Sequence, residues 1–346
     1  MKIANRPIGP DHPPYVVAEI SGNHNGQLDR ARALITEAAH AGADAVKLQT
    51  YRPDTITLDS DAEGFVIKGG LWDGRRLYDL YAEAHMPWAW HAPLFDHART
   101  EGITIFSSPF DNTAVDLLED LGAPAYKIAS FEAVDLPLIR YAASTGKPMI
   151  ISTGMADADE IAEAIAAARD GGCRELAILH CVSGYPAPAA DYNLRTIPDM
   201  IDRFGLVTGL SDHTLDNTTA ITAVALGASI IEKHVTMDRK GGGPDDSFSL
   251  EPPELAALCH SARTAWEALG KVDYGTKSSE RSNVTFRRSL YYVKPLKAGA
   301  VITPDAIRSV RPGLGAAPRY YDAIVGRRVA CDVAAHSPVR LDQITD

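Results

Sequence analysis

Eight short apolar runs punctuate the first 236 residues, and nearly every one gives way to polar side chains at its C-terminal end. They are YVVAEISGN (15–23), DAVKLQTY (44–51), ITIFSSPF (103–110), AYKIAS (125–130), PMIISTG (148–154), LAILHCVSG (176–184), GLVTGLSDH (205–213) and SIIEKHVT (229–236). Amphipathic stretches lie between them. In LDRARALITEAAHAG, for example, Leu34, Ile35, Ala38 and Ala39 share one helical face. Three runs are introduced by the same punctuation, with Gly42, Gly122 and Gly227 expected to end a helix just before the next strand. Strands alternating with helices imply a parallel sheet with helices outside it. The first run ends in SGNHNGQ (21–27) rather than a glycine-rich phosphate loop, which weighs against an open dinucleotide-binding sheet. A closed (β/α)8 barrel explains why the polar residues gather at the C-terminal strand ends, because its site is built there.

The last run sharpens the point, since it places Glu232, Lys233 and His234 where a buried strand should finish. Unpartnered ionisable groups in a core cost several kcal/mol, so this end is expected to face a polar site shared with the other strands. Period-two alternation puts Lys47 with Gln49, Ser211 with His213, and Glu232 with His234 on common faces.

The chain divides at about residue 270. Residues 1–269 form the expected barrel, 270–284 a polar linker without apolar periodicity, and 285–346 a small domain of short β-branched runs between Gly and Pro turns. About sixty residues make a marginal core, so this domain is expected to dock on something. A formal net charge of −11 argues against a nucleic-acid surface and a polybasic membrane patch. No run approaches the roughly eighteen apolar residues of a membrane span, and no leader-like apolar segment opens the sequence. Cys173, Cys181, Cys259 and Cys331 show no metal or disulfide spacing and are read as buried thiols in a reducing, cytoplasmic setting.

Several side chains are candidates for chemistry. His213 and His234, from adjacent strand ends, could grip one metal; without cysteines they suit an open site for Mn²⁺ or Mg²⁺ better than structural zinc. The alternative is a pair of hydrogen-bonded histidines that ligate nothing. Lys47 and Lys127 lie inside apolar strands and need an anion. That anion is either a structural carboxylate or a bound phosphate or carboxylate, with Ser108, Ser130, Ser152 and Ser211 donating to its oxygens. Lys127 could also be a Schiff-base nucleophile. Glu19 and Glu132 suit acid–base work, contact with a sugar hydroxyl, or a helix cap. Asp245 and Asp246, in the glycine-rich stretch after the eighth strand, are either a solvated turn or part of a lid. The long segment 69–95, with Trp72, Tyr78, Tyr81, Trp88 and Trp90, is a helical excursion that packs and shapes a pocket rim.

Together the motifs AEISGNHNG, AVKLQTY, SSPFD, YKIAS, ISTGM, LHCVSGYPAP, GLSDHT, ALGASIIEKHVT, GGGPDDSFSLEP and VRPGLG resemble the sialic acid synthase family, in order and over almost the whole chain. The excursion resembles the branch of that family that makes pseudaminic acid. The resemblance implies a metal-requiring TIM barrel followed by an antifreeze-like (SAF) domain, condensing phosphoenolpyruvate with an N-acetylated amino sugar. By the same resemblance, His213 and His234 ligate Mn²⁺, with Mg²⁺ or Co²⁺ as alternatives. Lys47, Ser108, Lys127, Ser130, Ser152 and Ser211 bind phosphoenolpyruvate, while Gln49, Glu132, Tyr185 and Asp245 contact the sugar. Glu19 acts near the reacting carbons, and Arg311 reaches the sugar in the partner subunit of a domain-swapped homodimer. The RPGLGAAP run departs slightly from the family's usual pattern, which touches the subunit contact more than the arginine. Related expectations are a neuraminate or legionaminate synthase and, from a different class, an aldolase using Lys127. An ice-binding protein is disfavoured by Arg308, Arg311 and Arg319.

Overall fold

A computed structural model describes all residues, 1–346. It divides into two units, Met1–Gly270 and Lys271–Asp346.

The first unit is a closed barrel of eight parallel strands, each paired with its neighbours in sequence. They are β1 (Tyr15–Glu19), β2 (Ala45–Thr50), β3 (Thr104–Pro109), β4 (Tyr126–Ile128), β5 (Met149–Ser152), β6 (Leu176–Cys181), β7 (Val207–Asp212) and β8 (Ile230–His234). Closure comes from β8 pairing with β1, where His234 stands opposite Glu19. All eight apolar runs contain a barrel strand.

The pleat divides each strand into two faces. Outward residues such as Val16, Ala18, Val46, Leu48 and Ile151 pack under the helices. Inward residues change character along the strand. Val17, Ala45, Phe106, Ala125, Ile150, Ala177 and Ile230 fill the lower interior together with Ile3 and Ile8. Ile3 belongs to an N-terminal hairpin, Lys2–Ile3 with Arg6–Pro7, so this end of the barrel is stoppered by apolar side chains. One pleat further along, the inward positions are Glu19, Lys47, Ser108, Lys127, Ser152, Ser211 and Glu232, all buried. The same alternation therefore yields an apolar floor and an ionisable upper layer.

Helix α1 (Leu28–His40) buries Ala31, Leu34, Ile35 and Ala38, while Ala39 is only half-buried. Gly42, Gly122 and Gly227 have φ of +85°, +72° and +104°. In each case the following residue donates its backbone N–H five residues back, as in Ala43 to Ala38 and Ala123 to Leu118. That left-handed helix stop favours glycine, which is why one punctuation mark recurs. No helix is long and apolar enough to cross a membrane.

The second unit has two short antiparallel pairs, Ser289–Tyr292 with Ile307–Val310 and Arg328–Val329 with Ile344–Thr345. Leu290, Tyr292, Ile302, Ile307, Val329 and Val339 form its core. Much of the stretch expected as a linker is ordered locally, because Ser278–Phe286 forms 3₁₀ turns.

Candidate active site

The C-terminal mouth of the barrel encloses a cavity of about 440 Å³. Its base is the ionisable layer. Lys47 Nζ lies 2.6 Å from Glu19 Oε2 and 3.6 Å from Glu232 Oε1. Lys127 Nζ donates to both oxygens of Glu232, at 2.9 and 3.2 Å. Glu232, on β8, thus bridges lysines carried by β2 and β4. Two ammonium groups meet two carboxylates here, settling the open question about the lysines' partners in the free protein. The third ionisable residue of the β8 triplet does not join them. Lys233 projects from the opposite face of the strand, because alternation separates it from Glu232 and His234.

Electrostatics divides the four groups. Burial alone would lower the Lys47 pKa, but the carboxylates of Glu19 and Glu232 outweigh it and hold Lys47 above the usual lysine range. Burial dominates at Lys127, whose pKa falls despite Glu232. Burial pushes Glu19 up, with the charge of Glu232 adding to it. For Glu232 burial acts in the same upward sense, yet Lys127 and Lys47 overcome it and bring the carboxyl down to about 2. Glu232 is therefore the fixed anion, and Glu19 is the carboxylate that more readily carries a proton.

Above this layer stand the two histidines, with ring centroids 5.3 Å apart. The His213 Nδ1–H faces the Val182 carbonyl oxygen at 2.8 Å, which leaves Nε2 as the nitrogen for a ligand. Burial alone would lower the His213 pKa, but the Cys181 thiol beside it outweighs burial and holds it above the usual imidazole range, so a metal would displace a proton here. Nδ1 of His234 is buried without a hydrogen-bond partner. Burial, then the charges of His213 and Lys47, hold His234 well below the usual imidazole range and thus neutral. A neutral ring with an orphaned nitrogen, beside a second ring whose tautomer is fixed by a carbonyl, fits a metal-ligand pair. No cluster of three or more His, Cys, Asp or Glu side chains is arranged for a metal, so this pair would leave the other positions open.

Tyr185 covers the histidines, its ring 4.4 Å from that of His213. Gln49 Nε2 donates to Glu19 Oε1 at 3.0 Å. The Ser152 hydroxyl is buried and unpaired, and the Ser211 hydroxyl donates to Glu232 at 3.3 Å. The Ser130 hydroxyl accepts from the Gly154 N–H at 3.2 Å. Glu132 lines the rim with Oε2 unpaired. Ser108 is drawn back behind Lys47, whose Nζ donates to it at 3.2 Å. Ser108 and Glu19 lie at the base, outside the cavity lining, while the other candidates of the barrel line it. Arg311 is exposed in the second unit, directly after the strand Ile307–Val310.

The stretch after β8 is a packed element rather than a solvated turn. Asp246 is 1% exposed and accepts from Arg30, Asn25 and Thr236. Its neighbour Asp245 turns the other way, into the cavity, where Ser21 donates to it. Burial raises the Asp245 pKa to about 7. The excursion lines one wall with Trp72, Leu77 and Leu80, joined by Ile56 and Ile67 from the stretch before it, and Trp72 donates to the Pro244 carbonyl at 3.1 Å. Trp90 packs against the main core and Trp88 stacks with Arg52, so those two serve the scaffold.

Sequence reasoning left three participants without a role. Glu232 carried a signal, its alternation with His234. Tyr192, whose hydroxyl accepts the His213 N–H at 2.6 Å, carried none. Cys181, read as an inert thiol, lines the cavity. Cys331 is exposed and Cys259 partly so, against the expectation of burial.

A parallel barrel whose C-terminal mouth gathers two lysines, four carboxylates and two imidazoles defines a barrel enzyme acting on a polar small molecule. The comparisons narrow that class. A family model described as the NeuB family matches residues 34–274, and one described as the SAF domain matches 287–345. Pseudaminic acid synthase from Campylobacter jejuni is 41% identical over 335 residues, covering 96% of each chain. Pseudaminic acid synthase from Helicobacter pylori is 41% identical over 334 residues, covering 96% of this chain and 98% of its own. The crystal structure of N-acetylneuraminic acid (sialic acid) synthetase from Leptospira borgpetersenii, in complex with citrate, superposes with a TM-score of 0.73 at 31% identity, covering 82% of this chain and 94% of that one. This chain belongs to the NeuB family, the sialic acid synthases, and carries a C-terminal SAF domain.

Proposed function

We propose that this protein is a transferase of the pseudaminic acid synthase type. It condenses phosphoenolpyruvate with a 2,4-diacetamido-2,4,6-trideoxy hexose of the altrose type and releases phosphate to give a nine-carbon sugar acid. The observation that carries the reading is the meeting, in one cavity, of two buried ammonium groups and two imidazoles. The identity to pseudaminic acid synthases over 96% of the chain supports the choice of sugar.

In this reading Lys47 and Lys127 take the phosphate and carboxylate of phosphoenolpyruvate, with hydroxyl donation from Ser130, Ser152 and Ser211. Ser152, buried and unpaired, gives up no bond to do so. Ser108 acts at one remove, through its contact with Lys47. Protonation of Glu19 would leave the four-charge layer with a net positive charge to meet the anion. Gln49, Glu132, Tyr185 and Asp245 orient the sugar. A divalent metal, Mn²⁺ with Mg²⁺ or Co²⁺ as substitutes, would be held by His213 and His234 and would polarise the aldehyde oxygen. The π electrons of the enol then form the new carbon–carbon bond, and the aldehyde oxygen takes a proton. Water adds at the cationic enol carbon, and C–O cleavage sends the electron pair out with phosphate, whose charge the two lysines stabilise. Glu19, beside Lys47 and Gln49, is the group placed to manage a proton near those carbons.

We further place the enzyme in the cytoplasm as a domain-swapped homodimer, with Arg311 contributing to the partner's sugar site. The exposure of Arg311 leaves its guanidinium free for that contact.

Offering phosphoenolpyruvate with each amino sugar and measuring phosphate release tests the assignment. The altrose-type diacetamido sugar should give the highest kcat/KM. A higher value with N-acetylmannosamine or the legionaminate precursor would move the enzyme to those branches, and no phosphate with any sugar would reject the reaction. One observation favours a second reading, since the lowered pKa of Lys127 is what a Schiff-base aldolase needs. Its ammonium, however, donates to both oxygens of Glu232, so borohydride with a carbonyl substrate should trap no adduct.

A further inference from the structure

We propose that Lys233 is a positioning residue: from the outer face of β8 its ammonium clamps the turn after β7 and thereby fixes His213 against His234. This rests on the reading of those histidines as metal ligands.

Lys233 is 1% exposed, and its pleat position points it away from the cavity. Its Nζ donates to Asp212 Oδ2 at 2.9 Å, to the Thr214 carbonyl at 2.8 Å and to the Asp216 carbonyl at 2.8 Å, with Thr214 Oγ1 at 3.3 Å. All four acceptors lie within residues 212–216, on both sides of His213. A buried ammonium is tolerated only when it is fully hydrogen-bonded, so this turn must come to Lys233. Asp212 tightens the turn with its other oxygen, which accepts the Thr214 N–H at 2.9 Å.

The two histidines are held in different ways. His234 is the last residue of a barrel strand and is fixed by its pairing with β1. His213 lies one residue beyond β7, outside the ladder. Its ring rotation is set by Val182, its backbone N–H by Tyr192 and its carbonyl by the Ala187 N–H, while the residues on either side of it are held by Lys233. One strand therefore presents a ligand on its inner face and, one residue earlier on its outer face, the clamp for the other ligand. Movement at Lys233 changes the separation of the two imidazoles without touching either.

The test is Mn²⁺ affinity, measured on the full chain by the EPR signal of free Mn²⁺, alongside thermal unfolding. The variants are Lys233→Met and the double variant Lys233→Met/Asp212→Asn, which removes both members of the ion pair together and so avoids a lone buried charge. His213→Ala serves as reference. Either folded Lys233 variant should raise the Mn²⁺ Kd about 10-fold or more, the scale at which supports of a metal ligand act, and lost kcat should return in part at high Mn²⁺. A merely structural lysine would lower the unfolding temperature and leave the Kd within about 2-fold, and that result overturns the proposal. If His213→Ala itself leaves Mn²⁺ binding unchanged, the metal reading fails first and the clamp with it. If His213→Ala abolishes binding and the Lys233 variants do not weaken it, only the clamp fails.

Discussion

Glu132 ends the 3₁₀ turn after β4 with one carboxylate oxygen buried and unpaired. Burial lifts its pKa from an ordinary 4.5 to about 7, Asp135 adding to the rise and Lys127 and Lys47 opposing it. The folded protein thus holds the proton more tightly than the unfolded chain. The associated stability is complete below pH 4.5 and is lost as pH rises through about 7. Glu132→Gln, a neutral replacement, should therefore match the parent's unfolding temperature near pH 4.5 and exceed it at pH 8. The gain is at most about 3 kcal/mol, from about 1.4 kcal/mol per unit, and calorimetry of the ligand-free protein over that range would show it. A difference independent of pH would contradict this account. At this scale the sequence named the ionisable side chains but not their partners. Lys47 was legible as a buried cation; that Glu232 would bridge it to Lys127 was not, because these residues come from β2, β4 and β8 and meet only on closure.

The barrel strands were legible as elements because each carries a continuous apolar run and a helix stop before it. Their close approach was less so. Gly209, in the middle of β7, faces the interior, and a Cβ there would lie 2.4 Å from the Ile230 carbonyl oxygen and 2.6 Å from Leu179 Cδ2. Backbone of β8 cannot yield without breaking its ladder, so Gly209→Ala should cost about 2–3 kcal/mol, in the range of overpacked cores. Gly122→Ala meets nothing within 4 Å and suffers only its φ of +72°, for a loss of about 1 kcal/mol. Chemical denaturation of the two variants gives the order, and an equal loss would mean that the interior has room at Gly209. The stretch 241–250 shows the reverse case. Its glycines and aspartates read as a solvent loop, yet Arg30 and Thr236 bury Asp246 and so turn Asp245 toward the cavity. Arg30 is remote in sequence from a loop whose own composition is that of a turn.

Charge is partitioned between the two units of the whole molecule. Residues 1–270 hold 21 basic and 38 acidic side chains, a net −17, and residues 271–346 hold 13 basic and 7 acidic, a net +6. The overall −11 hides a basic second unit in which Arg311 is exposed. Given its proposed place at the sugar, Arg311→Ala should raise the sugar KM by about 10-fold or more, the scale of a lost charge-assisted hydrogen bond, and leave the KM for phosphoenolpyruvate unchanged. Steady-state kinetics with each substrate varied in turn decides it, and an unchanged sugar KM removes Arg311 from the site. The sequence by itself determined the barrel, its eight strands, the end at which the site lies and the residue types gathered there. These follow from period-two and helical patterning and from the rule that a buried charge must face a polar site, all written in neighbouring residues. Only the tertiary structure decided which carboxylate holds which lysine, that the acceptors for Lys233 are the residues on either side of His213, and that Asp246 is buried as an anchor while Asp245 faces the cavity. Those outcomes depend on distances between strands that are set when the ring closes.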